Sequence, residues 1–456
     1  MSTSAPAKPT MQRPLPDPKW DAERWPPSLR KSRAESTARF NHDPLGELVG
    51  AREKLGPVYT LRVLNHPGGI VCACDVESNR QVLTDHDLFK PGEAADLLEP
   101  LIGQGSLILT PAPRHTRNRK LLMPPFHGQK IAMWTDTIAE LVEQQLPDLL
   151  QPGPVAVRPW AQRLTLDVIL LVVFGIEAAE RRAVYRRALD RLMRPRVAVI
   201  LFLPHWARRN LGPLSPGGIL EARRKAVDNL LAEEIAIRRA DPDARTKQDV
   251  LSVLLEARDE DGIGYSDQEL SDELKGLVIA GHETTATALA WTLHFLAQYP
   301  EVRDRLVADL DTGSKEYLGA VIKESMRLRA PVFDAIRMAT RDTVLAGQPI
   351  PAGALVAANF CVTHLDPEVW PEPEKFIPER HLVSGDEKAS PWALTPFGGG
   401  ARRCIGASLA TLELEVVLAK VLERALPEAA GPVEQTRLMG VTLVPHRGGR
   451  AVFAKR

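Results

Sequence analysis

One stretch constrains this chain more than any other. From Ser266 to Tyr299 it reads as a single uninterrupted helix. Ser266 and Glu269 form a capping box, in which each side chain satisfies an orphan amide of the first turn. Apolar residues then recur at Leu270, Leu274, Leu277, Val278, Ala288, Leu289 and Leu296, until Tyr299-Pro300 ends the pattern. A helix of about 32 residues is about 48 Å long at 1.5 Å per residue, enough to cross a whole domain. Its middle does not read as core. Ala280-Gly281-His282-Glu283-Thr284-Thr285 places a helix-weakening glycine and polar side chains where apolar ones are expected.

Composition fits one large globular fold. Of 456 residues, 44% are hydrophobic and 25% charged, which excludes wholesale disorder and collagen-like structure. Lys plus Arg (58) equals Asp plus Glu (58), so nothing implies the general grip on nucleic acid of a strongly basic chain. Four cysteines are too few for a disulfide framework in a chain this size. The N-terminus lacks the order of a signal peptide, and no apolar run reaches the ~20 residues of a membrane span. The longest, Leu164 to Ile176, contains Asp167 and reads as a buried helix. A shorter run, Val197 to Leu203, reads as core, a pocket lid or a lipid contact. No membrane anchor is expected, and the protein reads as reduced, soluble and cytoplasmic.

Residues 1–40 are rich in Pro and charge and read as a tail, and residues 41–456 as one domain. Strand-like pieces at Val58–Val63 and Ile70–Ala73 precede a mostly helical middle. Arg337 to Val356 reads as strands broken by Gly and Pro turns, and His364 to Arg380 is too proline-rich for regular structure. The fold class is therefore mainly α with small β-sheets (α+β).

The strongest chemical signal is Phe397-Gly398-Gly399-Gly400-Ala401-Arg402-Arg403-Cys404-Ile405-Gly406. Ile405, Leu409, Leu412, Val416 and Ala419 then follow one helix face, so Cys404 sits where a glycine-rich loop becomes a helix N-terminus. Free amides there favour a thiolate, the form that binds metals. A lone cysteine is more often a small buried hydrophobe; its place between Gly400, Arg402 and Gly406 argues otherwise.

Phe397, Gly400, Arg402, Cys404 and Gly406 match F-x-x-G-x-R-x-C-x-G, which resembles the haem-ligand loop of the cytochrome P450 family. The resemblance implies a P450-like fold with the long helix over haem b, with Cys404 as the axial thiolate that favours O–O cleavage. Arg402 would pair with a haem propionate, while Phe397 and Gly406 would line the ring. Glu324 and Arg327 match the family's E-x-x-R, joined by Arg380 from Pro378-Glu379-Arg380 in a structural lock. Ala280, Gly281, Glu283, Thr284 and Thr285 resemble A-G-x-[DE]-T-T, with Ala280 against the haem, Thr284 as the hydroxyl and Glu283 as the relay acid of proton delivery. His282 reads as structural. His115 and Arg119, in H-x-x-x-R, would bind propionates, and Arg337 matches a third propionate arginine.

By the same resemblance, Leu97, Leu98, Ile102, Leu107, Val332 and Phe333 would form an apolar substrate wall suited to terpenoids, steroids or fatty acids. Asp334 is an oddity there, set to contact a substrate hydroxyl or to face solvent. No flavin or iron–sulfur signature is present, so electrons would come from a separate ferredoxin and ferredoxin reductase. Arg402, Arg403, Arg119 and Lys120 are candidates for the face that meets them. The reaction implied is insertion of one oxygen atom of O2 into a lipophilic substrate. The alternatives are a peroxide-driven peroxygenase, which usually lacks the Glu283-Thr284 pair, and a non-catalytic haem- or lipophile-binding protein.

Overall fold

The computed structural model describes residues 21–456 apart from 65, 92–97, 127, 195–199, 201–202, 204–207 and 384–388. Helices α1 (Arg33–His42) and α2 (Pro44–Leu55) precede strands β1 (Val58–Val63) and β2 (His66–Ala73), helix α3 (Val76–Thr84) and the short strand β3 (Phe89–Lys90). Among the helices that follow, α4 (Arg114–Leu122), α5 (Val157–Val172), α6 (Asp267–Gln298) and α7 (Glu316–Leu328) shape the site. Strands β4 (Asp334–Ala339) and β5 (Leu355–Asn359) return to the first sheet, and α8 (Ala407–Arg424) follows the cysteine loop.

The five-stranded sheet runs β1-β2-β5-β4-β3, with β2 and β5 parallel and the other pairs antiparallel. Chain segments nearly 300 residues apart thus meet at its centre, with Cys72 opposite Ala357. Its two faces carry separate apolar clusters, one around Trp25, Leu83 and Phe89, the other around Leu48, Tyr59 and Cys361. The larger core is helical.

Both ends of α6 are set by local chemistry. The Ser266–Glu269 capping box forms as expected, with Ser266 N donating to Glu269 at 2.9 Å, and Pro300 opens the next helix just past Tyr299. Helix α5 packs along α6. It holds Leu164 to Val172 of the longest apolar run, buried as expected, and Asp167 within it pairs with Arg182 and Arg186. Among the described residues no helix is long and apolar enough to cross a membrane.

The boundary expected at residue 40 falls inside α1. Trp25 is buried under the sheet, and Thr60 donates to the carbonyls of Pro26 and Pro27 at 2.9 and 2.8 Å. A proline-rich segment lacks periodicity, but a single large aromatic anchor suffices to pin it. Most of Val197–Leu203, and Leu97 of the expected wall, lie outside the described residues.

Candidate active site

Cys404 stands between a 3-10 turn, Gly400–Arg402, and α8. Its N–H donates to the Phe397 carbonyl at 2.9 Å and closes the loop. Gly400 has φ +64, and a Cβ there would lie 2.2 Å from the Leu83 carbonyl oxygen, so only glycine seats the loop against α3. Cys72, Cys74 and Cys361 are buried, whereas Cys404 is exposed. Protein still surrounds its sulfur: burial pushes the thiol pKa up, against the Gly406 N–H, Arg403 and Arg119, which pull it down. The thiolate expected from the helix end is therefore not secured by the protein alone, because α8 begins only at Ala407. A metal cation at the sulfur would supply what is missing.

Beside Cys404 lies a concentration of positive charge. His115 and Arg119 share a face of α4, Arg337 comes from β4, Arg402 from the cysteine loop, and His86 from the turn after α3. Burial, with Arg402, Arg119, His86 and Arg337, pushes His115 down to about 4. Burial, Arg337 and Arg119 push Arg402 down to about 10. No carboxylate is among the groups acting on either. Asp334 acts on Arg337, whose Nε is nevertheless buried without a hydrogen-bond partner. Arg402 turns inward and donates to the Leu107, Ile108 and Thr110 carbonyls. With Arg119 half-buried and Lys120 paired to Glu260, the expected basic outer face reduces to Arg403 and the rim around it.

The lock on the other side of the loop is complete. Glu324 and Arg327 are fully buried on α7 and make two hydrogen bonds of 2.8 and 2.9 Å. Arg380 reaches Glu324 at 3.0 Å, His381 at 2.8 Å, and the Ile377 N–H at 2.9 Å. Arg327 donates to the carbonyls of His364, Pro373 and Lys375, and His364 Nε2 accepts the Thr395 N–H at 2.9 Å, two residues before Phe397. The ion pair is thus wired through His364 to the loop that presents Cys404. His364 and His381 were missed in the sequence; the histidine next to Pro-Glu-Arg was the available signal.

In the middle of α6, Ala280 is exposed while Val278, His282 and Thr285 are buried. Thr284 donates its hydroxyl to the Ala280 carbonyl at 2.7 Å, and Thr165 of α5 donates to the His282 carbonyl at 3.0 Å. Gly281 lets α5 close in, since a Cβ would meet Ile169 at 2.8 Å. Both carboxylate oxygens of Glu283 are held on the α5 side, by Arg158 and by Gln162 Nε2 at 2.8 Å. Nothing in the sequence pointed to Arg158, which lies 125 residues away. Of the expected wall, Ile102 and Leu107 are buried and Leu98 and Val332 half-buried. The Phe333 ring lies 5.9 Å from Phe40 of α1 and packs with the α2 and β1 cluster.

The model of the cytochrome P450 family matches residues 37–429. The chain is 35% identical over 435 residues to a Mycobacterium tuberculosis protein named as cytochrome P450 135B1, covering 93% of this chain and 90% of that protein. It is 33% identical over 467 residues to one named as cytochrome P450 138 of the same species, covering 100% and 99%. This chain belongs to the cytochrome P450 family. Two solved structures share its fold. A retinoic acid-bound cyanobacterial CYP120A1 has a TM-score of 0.80 at 24% identity over 92% of this chain and 96% of that one. A cytochrome P450DA heme domain has a TM-score of 0.83 at 22% identity over 95% and 97%.

As a P450 the protein is an oxidoreductase of the monooxygenase class, and the family binds haem. The residues present fit that group. Three arginines gather here, with Asp334 acting on Arg337 and no carboxylate among the groups acting on Arg402, a set that suits an anion such as the two propionates of a haem. Cys404 is the exposed cysteine of the four, and Ala280 is an exposed small side chain in the middle of α6.

Proposed function

We propose that this P450 inserts one atom of O2 into a lipophilic substrate, RH + O2 + 2 electrons + 2 protons giving ROH + water. Haem b would be held by the Cys404 sulfur, with His115, Arg119, Arg337 and Arg402 taking its propionates and Phe397, Gly406 and Ala280 lining its site. The cluster of Arg119, Arg337, Arg402 and His115 beside Cys404 carries this reading. When bound, the haem iron supplies the oxygen-activating chemistry. Electrons come from a separate ferredoxin and its reductase, in the cytoplasm.

The chain's own residues handle the protons. Thr284, whose hydroxyl now rests on the Ala280 carbonyl, turns to hold a water in the groove of α6. Glu283 relays protons once its carboxylate leaves Arg158, so the acid is stored rather than permanently poised. Ile102, Leu107, Leu98 and Val332, with Leu97, would hold an apolar substrate, while Phe333 packs against Phe40 instead. Asp334, two residues from Val332 and with its pKa raised by burial, would contact a substrate hydroxyl.

The carbon monoxide difference spectrum of dithionite-reduced protein tests the reading. A strongly red-shifted Soret band, lost in Cys404→Ala, supports it. Folded, haem-supplied protein that takes up no haem overturns it.

A further inference from the structure

Ahead of the Ala280–Thr285 segment, α6 buries polar residues that proton delivery does not use: Asp272, Glu273 and Lys275. Lys275 is accounted for by Asp228 and Asp272, at 2.6 and 3.1 Å. The two acids hold the loop 103–110. Asp272 accepts the Gly105 N–H at 2.9 Å, and Glu273 accepts the Leu107 N–H at 2.8 Å and Asn118 Nδ2 of α4 at 3.2 Å. The loop lies so close that a Cβ on Gly103 would sit 2.2 Å from Asp272 Oδ1. From the other side Arg402 grips the same loop by the carbonyls of Leu107, Ile108 and Thr110, at 3.2, 3.4 and 2.6 Å. Leu107 therefore gives its N–H to the Glu273 carboxyl and its carbonyl to Arg402.

We propose that Glu273 is a positioning residue that controls the opening of loop 103–110 over the site and, through Leu107, the engagement of Arg402. Lifting the loop hydrates Glu273 and takes three carbonyl acceptors from Arg402 in one motion. Substrate packed on Leu107, the charge of Glu273 and the orientation of a propionate-binding arginine then belong to one two-state element. The role of Arg402 toward haem rests on the reading above; the coupling of loop and acid does not.

Burial raises Glu273 to about 7, against the Leu107 N–H, Asn118 and Arg114, which lower it, while Asp272 adds to the rise. The other groups facing this corner are the Tyr265 hydroxyl, which donates to the Asn118 carbonyl, and Arg117, which is paired with Asp259. A carboxyl whose pKa is higher with the loop shut than its ordinary 4.5 binds its proton more tightly in the shut state. Closure is therefore strongest below about pH 4.5, weakens as the pH rises to about 7, and then levels off.

Hydrogen–deuterium exchange on the full-length holoenzyme, corrected for intrinsic exchange and referenced to α2, reads this directly. In the wild type the opening constant of segment 103–110 should rise by roughly 40-fold between about pH 5 and 7. In Glu273→Gln, which keeps the shape and an acceptor for Leu107, it should not change with pH. Glu273→Ala should open the segment at every pH; if that variant does not fold, Glu273→Gln carries the test alone. A flat wild-type profile, or a wild-type slope retained in Glu273→Gln, overturns the proposal. Exchange is read without reference to turnover, so failure here is distinct from failure of the haem reading.

Discussion

Two clusters of buried charge flank the Cys404 loop, and they are built on opposite principles. Around Glu324 every strong group is answered. Four donors converge on one carboxylate, and the Arg327 guanidinium is spent on that carboxylate and three carbonyls. Around His115 and Arg402 arginines gather with no carboxylate among the groups acting on either, and Arg119 and Arg337 lower the pKa of both. The first cluster is closed and belongs to folding. The second is open, and on the proposed reading an anion completes it. Burial alone does not distinguish the two; satisfaction does.

The most complete loss is expected at the point both clusters serve. Cys404→Ala removes the proposed metal ligand, so the red-shifted carbon monoxide band should vanish while far-UV circular dichroism stays that of the wild type. A red-shifted band that survives would show the two clusters to be arranged around some other group. Next comes the closed cluster. Glu324→Ala leaves the buried Arg327 unanswered, which costs about 3–5 kcal/mol, and should yield protein without haem. Normal haem content, read by pyridine haemochrome assay, would break the assignment of this lock to the loop. Acid should act in the same direction. Burial opposes ionisation of Glu324, but Arg327, His381 and the Ile377 N–H hold its pKa down to about 2, against an ordinary 4.5. Its stabilisation is present above about pH 4.5 and is lost as the pH falls towards about 2, with haem release as the readout.

How much of this was legible in the sequence differs between the clusters for a physical reason. The long helix, its capping box and its proline stop are local, so Ser266, Glu269 and Pro300 announced them. The lock was legible because Glu324 and Arg327 are one turn apart and Arg380 sits in a recognisable triplet. His364 was not, since its task is to carry a backbone contact from Arg327 to Thr395 across a proline-rich stretch with no period. Arg158 and Asp272 were invisible for the same cause: their partners lie 125 and 167 residues away, and only the packed fold sets them together. The tail boundary failed because composition speaks of missing periodicity, not of the contacts that Trp25 makes.

A smaller effect is expected in the groove of α6. Thr284→Ala should leave haem content and spin-state response intact while lowering product formation by about 100-fold, within the range for losing one proton-transfer group. With a surrogate ferredoxin system, reductant consumption should continue and hydrogen peroxide should appear in place of product. Unchanged coupling between reductant and product would remove Thr284 from proton delivery and leave its bond to the Ala280 carbonyl as its whole role.

The subtlest test has the sharpest sign. Arg337 belongs to the open cluster, and its Nε has no partner. Burial lowers its pKa, so the protein bears the charge at a cost, offset in part by Asp334. Replacing a buried, poorly compensated ion by an apolar side chain is neutral or stabilising when the site closes around it. Arg337→Leu should therefore raise the thermal stability of haem-free protein, by roughly 1 kcal/mol, while weakening haem retention against apomyoglobin as acceptor. In the closed cluster both quantities fall together; here they should move in opposite directions. Loss of stability in haem-free Arg337→Leu would mean that Asp334 and Arg337 already answer one another, and that the anion is held by His115, Arg119 and Arg402 alone.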